Sequence, residues 1–247
     1  MKVQRAKRHL DELKNAIQSF FASHPYECSG KPDLQARKVV YTMDSVEKVP
    51  AEIPLIAGDI IQNLRTALDH SAYKLYLKRT GGSAVSTDIY FPIAESQKHY
   101  QHIKGSKTKG ILTSDLAKID AVQPYKGGND LLWAIHKLNI IDKHRLLLTV
   151  GSAVHSLDFT ALVKQHYPNS IFARTDFPPT LFSPADNSYP LEPGTVVFTD
   201  CTRVEPIEPP LNFNVVIHEQ GIIEGKPVLP LMTDMIKTVE HVITDVS

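Results

Sequence analysis

Cysteine is nearly absent from this chain. Cys28 and Cys201 stand far apart and no CxxC pair exists. That excludes a cysteine-built zinc site and offers no spacing that argues for a disulfide. Long apolar runs are missing too: none reaches the roughly 18 residues a membrane-spanning helix needs. The opening MKVQRAKRHLDELKNAIQSFF sets basic residues before an amphipathic pattern, without the apolar stretch and small-residue cleavage site of a secretory signal. A reducing cytoplasm and no membrane partner are the expectation. An excess of either charge is lacking as well. Lys+Arg and Asp+Glu number 27 each, so no global field draws the chain to nucleic acid or anionic lipid, although a local basic patch stays open. GxSxG is absent, which leaves nucleophilic catalysis without support. KGSKTKG (104–110) lacks the GxxxxGK[ST] spacing of a phosphate loop and reads as a flexible basic loop. Nothing implies a cofactor.

What is present is ordinary globular composition, 42% hydrophobic and 22% charged over 247 residues, enough for a sizeable core. Apolar residues at three- and four-residue steps predict helices over about Val3–Ala22, Pro54–Lys78, Thr113–Ala121 and LLWAIHKLNIIDKHRLLL, with a shorter one near Ser96–Ile103. The Pro54 helix ends at Gly81-Gly82. ARKVVYTMDSVEKVP (36–50) reads as a strand, and DIYFPI as a loop or short strand. Past residue 145 the character changes. LLLTVGSAV and SLDFTALV read as a hairpin, TVVFTDC and LNFNVVIHEQ as two further strands. VLPLMTDMIKTVEHVITDV closes the chain as an amphipathic helix. The fold class is therefore α+β: a helical bundle (1–145) with an antiparallel β segment (146–222). The C-terminal helix (229–245) packs back on the bundle, all in one domain of 247 residues.

The chemistry concentrates in two helices. GDIIQNLRTALDH (58–70) carries Asn63, Arg65, Asp69 and His70 beside core positions. At about 100° per residue, Arg65 and Asp69 lie four apart and pair, whereas Arg65 and His70 diverge by roughly 140°. A second helix, or a second copy of the chain, is then needed to complete a cleft between them. Tyr73 and Tyr76 either line that groove or simply pack. The second cluster is His136, Asn139, Asp142, Lys143 and His144. Asp142 falls among Leu131, Ile135 and Leu138 and needs a partner there. Arg65, His70 and His144 are the candidates, with a helix cap or Arg145 as the plainer alternative. The two helices, 55–79 and 129–145, are expected to pack at the centre of the fold. His70, His136 and His144 with an aspartate form a rival metal-ligand set, although neither helix has HExxH or HxxxH spacing. Trp133 reads as core. His9, His155, His166, His218 and His241 read as structural or solvated.

Arg65-Thr-Ala-Leu-Asp-His70 resembles the R-x(4–6)-H motif of HEPN domains. These are small helical bundles, many of them metal-independent ribonucleases of toxin–antitoxin and phage-defence systems. The resemblance covers residues 55–80. It implies an RNA partner, a homodimer that joins two motifs in one cleft, His70 as general acid/base and Arg65 as phosphate binder. Such roles suit the side chains. The family often has asparagine directly after the arginine, and this chain has Thr66. NLRTALDH with the later DKHR also resembles uncharacterised bacterial proteins. Two other functions use the same residues: a non-catalytic module that binds a ligand or protein partner in the polar cleft, and a His/Asp metal-dependent hydrolase.

Overall fold

The centre of the molecule is built by helices whose apolar residues recur on one side. In the computed structural model, residues 1–82, 86–145, 150–158, 161, 164, 181–182, 191–201, 205–206, 208–209 and 211–246 are described. Helix α1 (Lys2–Ala22) buries Ala6, Leu13, Ile17 and Phe20 at three-, four- and seven-residue steps. Helix α2 (Glu52–Thr80) is buried along almost its whole length, from Ile53 to Tyr76. It ends where Gly81 adopts a left-handed φ of 60° and its N–H bonds back to Leu77 O, a conformation that costs glycine nothing. Helices α3 (Gln97–Lys107), α4 (Thr113–Ala121) and α5 (Asp130–Arg145) follow, and α6 (Val228–Val246) closes the chain. Helix α2 packs against α1, α5 and α6, so the two polar-bearing helices do meet at the centre. Among the described residues no helix is long and apolar enough to cross a membrane.

The β structure falls into two antiparallel sheets. Strands β1 (Tyr26–Asp33), β2 (Lys38–Val46) and β5 (Val196–Asp200) form one, in the order β1-β2-β5. Strands β3 (Val150–Asp158), β4 (Leu181–Phe182), β6 (Leu211–Glu219) and β7 (Ile223–Pro227) form the other, in the order β4-β3-β6-β7. The sheets meet over a small apolar cluster of Met43, Val154 and Leu191. There the Tyr26 and Phe213 rings lie 4.5 Å apart between centroids. The second sheet joins the main core through Val215 and Ile217.

The α+β class and the placing of the long helices agree with the sequence. Four details differ. VGSAVHSLD is one continuous strand, not the halves of a hairpin. Its small and polar residues accommodate a bulge between Val154 and Ser156, where the periodicity slips without a turn. Residues 146–149 and most of 159–163 lie outside the described residues. Strand β1 was not legible, because YECSGKPD lacks alternation. It is an edge strand, the place that tolerates Pro32. VVFTD pairs with β2, so the expected β segment of 146–222 is shared between two sheets. Finally, α3 runs through Lys104-Gly105-Ser106-Lys107, and only the end of KGSKTKG forms a turn.

Candidate functional site

The irregular segment Tyr90–Glu95 holds α2 and α5 in relation to each other. Arg65 and Asp69, one turn apart on α2, form an ion pair at 2.8 Å. Both also grip a single residue of the segment. Arg65 Nη2 donates to Phe91 O at 2.9 Å, and Phe91 N–H donates to Asp69 Oδ1 at 3.0 Å. At the other end, Glu95 accepts from Trp133 Nε1 and from Lys137 Nζ of α5, each at 2.9 Å. Ala94 is tied to the loop before α5 through Pro124 O and Lys126 N–H. Tyr90 N–H donates to Lys107 O at the end of α3.

These anchors leave a cleft of about 550 Å³ between α2, the segment, α3 and α5. Arg65 and Asp69 reach it from α2, His99 and Lys107 from α3, and His136, Asn139 and Lys143 from α5. Pro92, Ile103 and Ile140 supply an apolar side. Counting fixed charges, Arg65, Lys107 and Lys143 against Asp69 leave an excess of two positive charges before either histidine is considered.

Three polar atoms of residues that line this cleft are buried with no hydrogen-bond partner: Arg65 Nη1, His136 Nδ1 and Asn139 Oδ1. Arg65 is 9% and Asn139 4% exposed. Buried polar groups almost always have partners, and each one left without costs about 1–3 kcal/mol, more when charged.

Burial dominates the electrostatics. It lowers the Arg65 guanidinium pKa and raises that of the Asp69 carboxyl, while their mutual attraction opposes both shifts. A guanidinium does not deprotonate in proteins, so Arg65 carries its charge. Burial, with the charge of Arg65 beside it, pushes the His136 imidazole down to about 4. At neutral pH His136 is therefore uncharged, with one ring nitrogen able to accept.

The other residues singled out by sequence lie elsewhere. His70 is exposed and lines a different cleft, between α1, α2 and α6, with Lys2, Lys74 and Lys78. Within one chain, then, Arg65 and His70 do not face the same ligand, as their 140° divergence on the helix requires. Asn63 is buried and donates to Asp59 O at 2.7 Å, a bond within its own helix. Asp142 corrects an expectation: it meets α2 two turns before Arg65, at Gly58. It makes no hydrogen bond to Arg65, His70 or His144. Burial first, and then the Asp59 charge, raise its carboxyl pKa. His144 is exposed. Tyr73 and Tyr76 pack their rings against each other, 5.8 Å apart, and line neither cleft. Trp133 is core at one face. Among the described residues, no three His, Cys, Asp or Glu side chains assemble as a metal-ligand group. His166 and the side chain of His155 lie outside the described residues. Sequence reasoning missed Phe91, His99 and Lys107: Lys107 was read only as part of the flexible basic loop KGSKTKG, His99 only as part of a short helix, and Phe91 acts through its backbone.

No family model matches the chain, and neither a curated protein nor a solved structure does so.

Proposed function

We propose that the α2–α5 cleft binds a phosphorylated ligand of about nucleotide size. The excess positive charge of a cleft lined by Arg65, Lys107 and Lys143 carries this reading. The Arg65 guanidinium is held in place by Phe91 and Asp69, and a preorganised guanidinium suits phosphate. The volume falls in the range of small-molecule sites. The protein is then the binding module of the alternatives above. Isothermal titration of the whole chain with adenosine monophosphates and inorganic phosphate tests it. Saturable binding that weakens with salt is expected, with Lys143→Ala reducing affinity by about three- to tenfold through loss of one exposed cation. Arg65→Lys, which keeps the charge and loses the fork, should reduce affinity further. No binding of any of these by wild type at millimolar concentration overturns the reading.

The placing of His136 and Arg65 in one cleft supports a second reading, metal-independent cleavage of single-stranded RNA. His136 takes the proton of a ribose 2′-hydroxyl as that oxygen attacks phosphorus, and Arg65 offsets the developing charge. The 5′-oxygen leaves with a proton from solvent. The HEPN-like form of this reading, a cytoplasmic homodimer that uses Arg65 and His70, requires two copies, because the two residues serve different clefts in one. Incubation with RNA in EDTA separates the forms. Loss of cleavage in His136→Gln alone supports the single-chain cleft, and loss in His70→Ala alone supports the two-copy site. Absence of cleavage by wild type removes the ribonuclease reading and leaves binding.

A further inference from the structure

The cleft that His70 lines carries charge of one sign only. It holds about 530 Å³ between the start of α1, the second half of α2 and the end of α6. Two ridges of α2 run along it, each at four-residue steps. His70, Lys74 and Lys78 form one ridge and are exposed. Ala67, Ser71 and Leu75 form the other and are buried. Helix α1 adds a further exposed cation, Lys2, and the half-buried Val3, while α6 adds the half-buried Ile243. No Asp or Glu lines the cleft. In a chain with 27 charges of each sign, three lysines without a carboxylate among them are a local departure.

The fold does not account for that charge. Lysines four apart on a helix repel. Lys78 is answered by Asp115 of α4, whose two oxygens each accept from its Nζ at 3.2 Å. Among the described residues, Lys2 and Lys74 have no carboxylate partner. Asp245, beside Val246, is already paired with His241 at 3.2 Å. Lys2 also stands in the first turn of α1, at the positive end of the helix dipole. An acidic side chain is favoured there, and that turn has none.

We infer that this cleft binds an amphipathic anion, a small molecule with a carboxylate or phosphate head on an unbranched apolar body. The head meets the ammonium groups of Lys74 and Lys2, and the body rests on Val3 and Ile243. All four residues have accessible surface. The α2 lining from Ala67 to Lys78 extends about 16 Å along the helix axis, so a volume of this size is long and narrow. A cation would be repelled here, and an anion without an apolar body would leave the floor uncovered.

Calorimetry on the full chain tests this with decanoate, octanoate, decyl phosphate, decyltrimethylammonium, inorganic phosphate and a single-stranded RNA oligonucleotide. One-to-one, saturable binding of decanoate or decyl phosphate is expected. Decanoate should bind about tenfold tighter than octanoate through its two additional methylenes. Lys74→Glu should weaken binding by tenfold or more. Lys98→Glu, the same charge change at an exposed site outside both clefts, should leave it unchanged. Decyl phosphate binding tighter than decanoate supports the inference and names phosphate as the head; the reverse supports it and names carboxylate. Decyltrimethylammonium binding as tightly as decanoate overturns it, as does an equal loss in Lys98→Glu. Inorganic phosphate binding as tightly as decyl phosphate overturns the apolar body. RNA binding that Lys74→Glu weakens, without binding of either decyl anion, overturns the inference in favour of a nucleic-acid face. No binding of any probe overturns it as well. The comparison of decyl anions with the decyl cation uses wild-type protein alone, so it holds whether or not a variant folds.

Discussion

Replacing Asn139 by leucine should make the free protein more stable. The residue lies on α5 between Leu138, which is fully buried, and Ile140, and only 4% of it is exposed. Its Oδ1 is buried without a partner. In the free protein that atom has surrendered its water and gained nothing, a penalty of about 1–3 kcal/mol. Leucine has nearly the same reach, is a better helix former, and puts apolar atoms against the apolar side of the cleft. A gain of about 1–3 kcal/mol moves the melting temperature of a chain this long up by roughly 2–10 °C. Differential scanning calorimetry and urea unfolding of the two proteins without ligand give the answer. A loss of 1 kcal/mol or more in the variant would refute the reasoning: it would mean that Asn139 already holds a structural bond.

Two further outcomes follow from the same packing. His136 has a folded pKa of about 4 against an ordinary 6.5, so the unfolded chain binds the extra proton in that window. Its contribution is complete above pH 6.5 and is lost as pH falls toward 4, about 2–3 kcal/mol in total; in His136→Gln, urea titrations from pH 7 to 4.5 should show a correspondingly shallower decline, and an identical decline would place the imidazole in solvent. An alanine at Gly58 would set its Cβ against the Asp142 carboxylate, 2.9 Å from the carboxyl carbon; Gly58→Ala should therefore be less stable than wild type, whereas in an Asp142→Ala background the same change should stabilise by up to about 1 kcal/mol, the helical preference of alanine over glycine, and additivity of the two changes would refute the contact.

Much of the frame could be read from residue spacing. Leu13, Ile17 and Phe20 in α1, and Leu231, Met235, Val239 and Val242 in α6, are buried as their periodicity requires. The Arg65–Asp69 pair follows from a four-residue step, and the separation of Arg65 from His70 from a five-residue one. Asp142 shows the limit. Its position in an apolar stripe was legible, but what faced it was not, because the offset between two packed helices depends on both surfaces. Here a glycine supplies the room, and the Asp59 charge acts on the carboxyl more strongly than that of Lys143. The Tyr90–Glu95 segment was opaque for another reason. It has neither helical nor strand period, and its decisive contacts are made by the peptide group of Phe91, which every residue type carries. Strand β5 shows a third limit: VVFTD announces a strand, and nothing local announces that its partner lies more than 150 residues earlier in β2.

The grip on Phe91 has a consequence for how these positions can change. Coulomb attraction between Arg65 and Asp69 is symmetric, so an ion pair alone would survive an exchange of the two residues. The bonds to Phe91 are not symmetric. Its carbonyl faces the guanidinium and its N–H faces the carboxylate. The pair thus presents one donor and one acceptor in a fixed order along the helix, as the peptide group of a neighbouring strand would. Reversing the charges would set a carboxylate against a carbonyl and a guanidinium against an N–H, turning two attractions into two repulsions. The segment that forms one wall of the cleft has a polarity, and α2 is written to match it in one direction only.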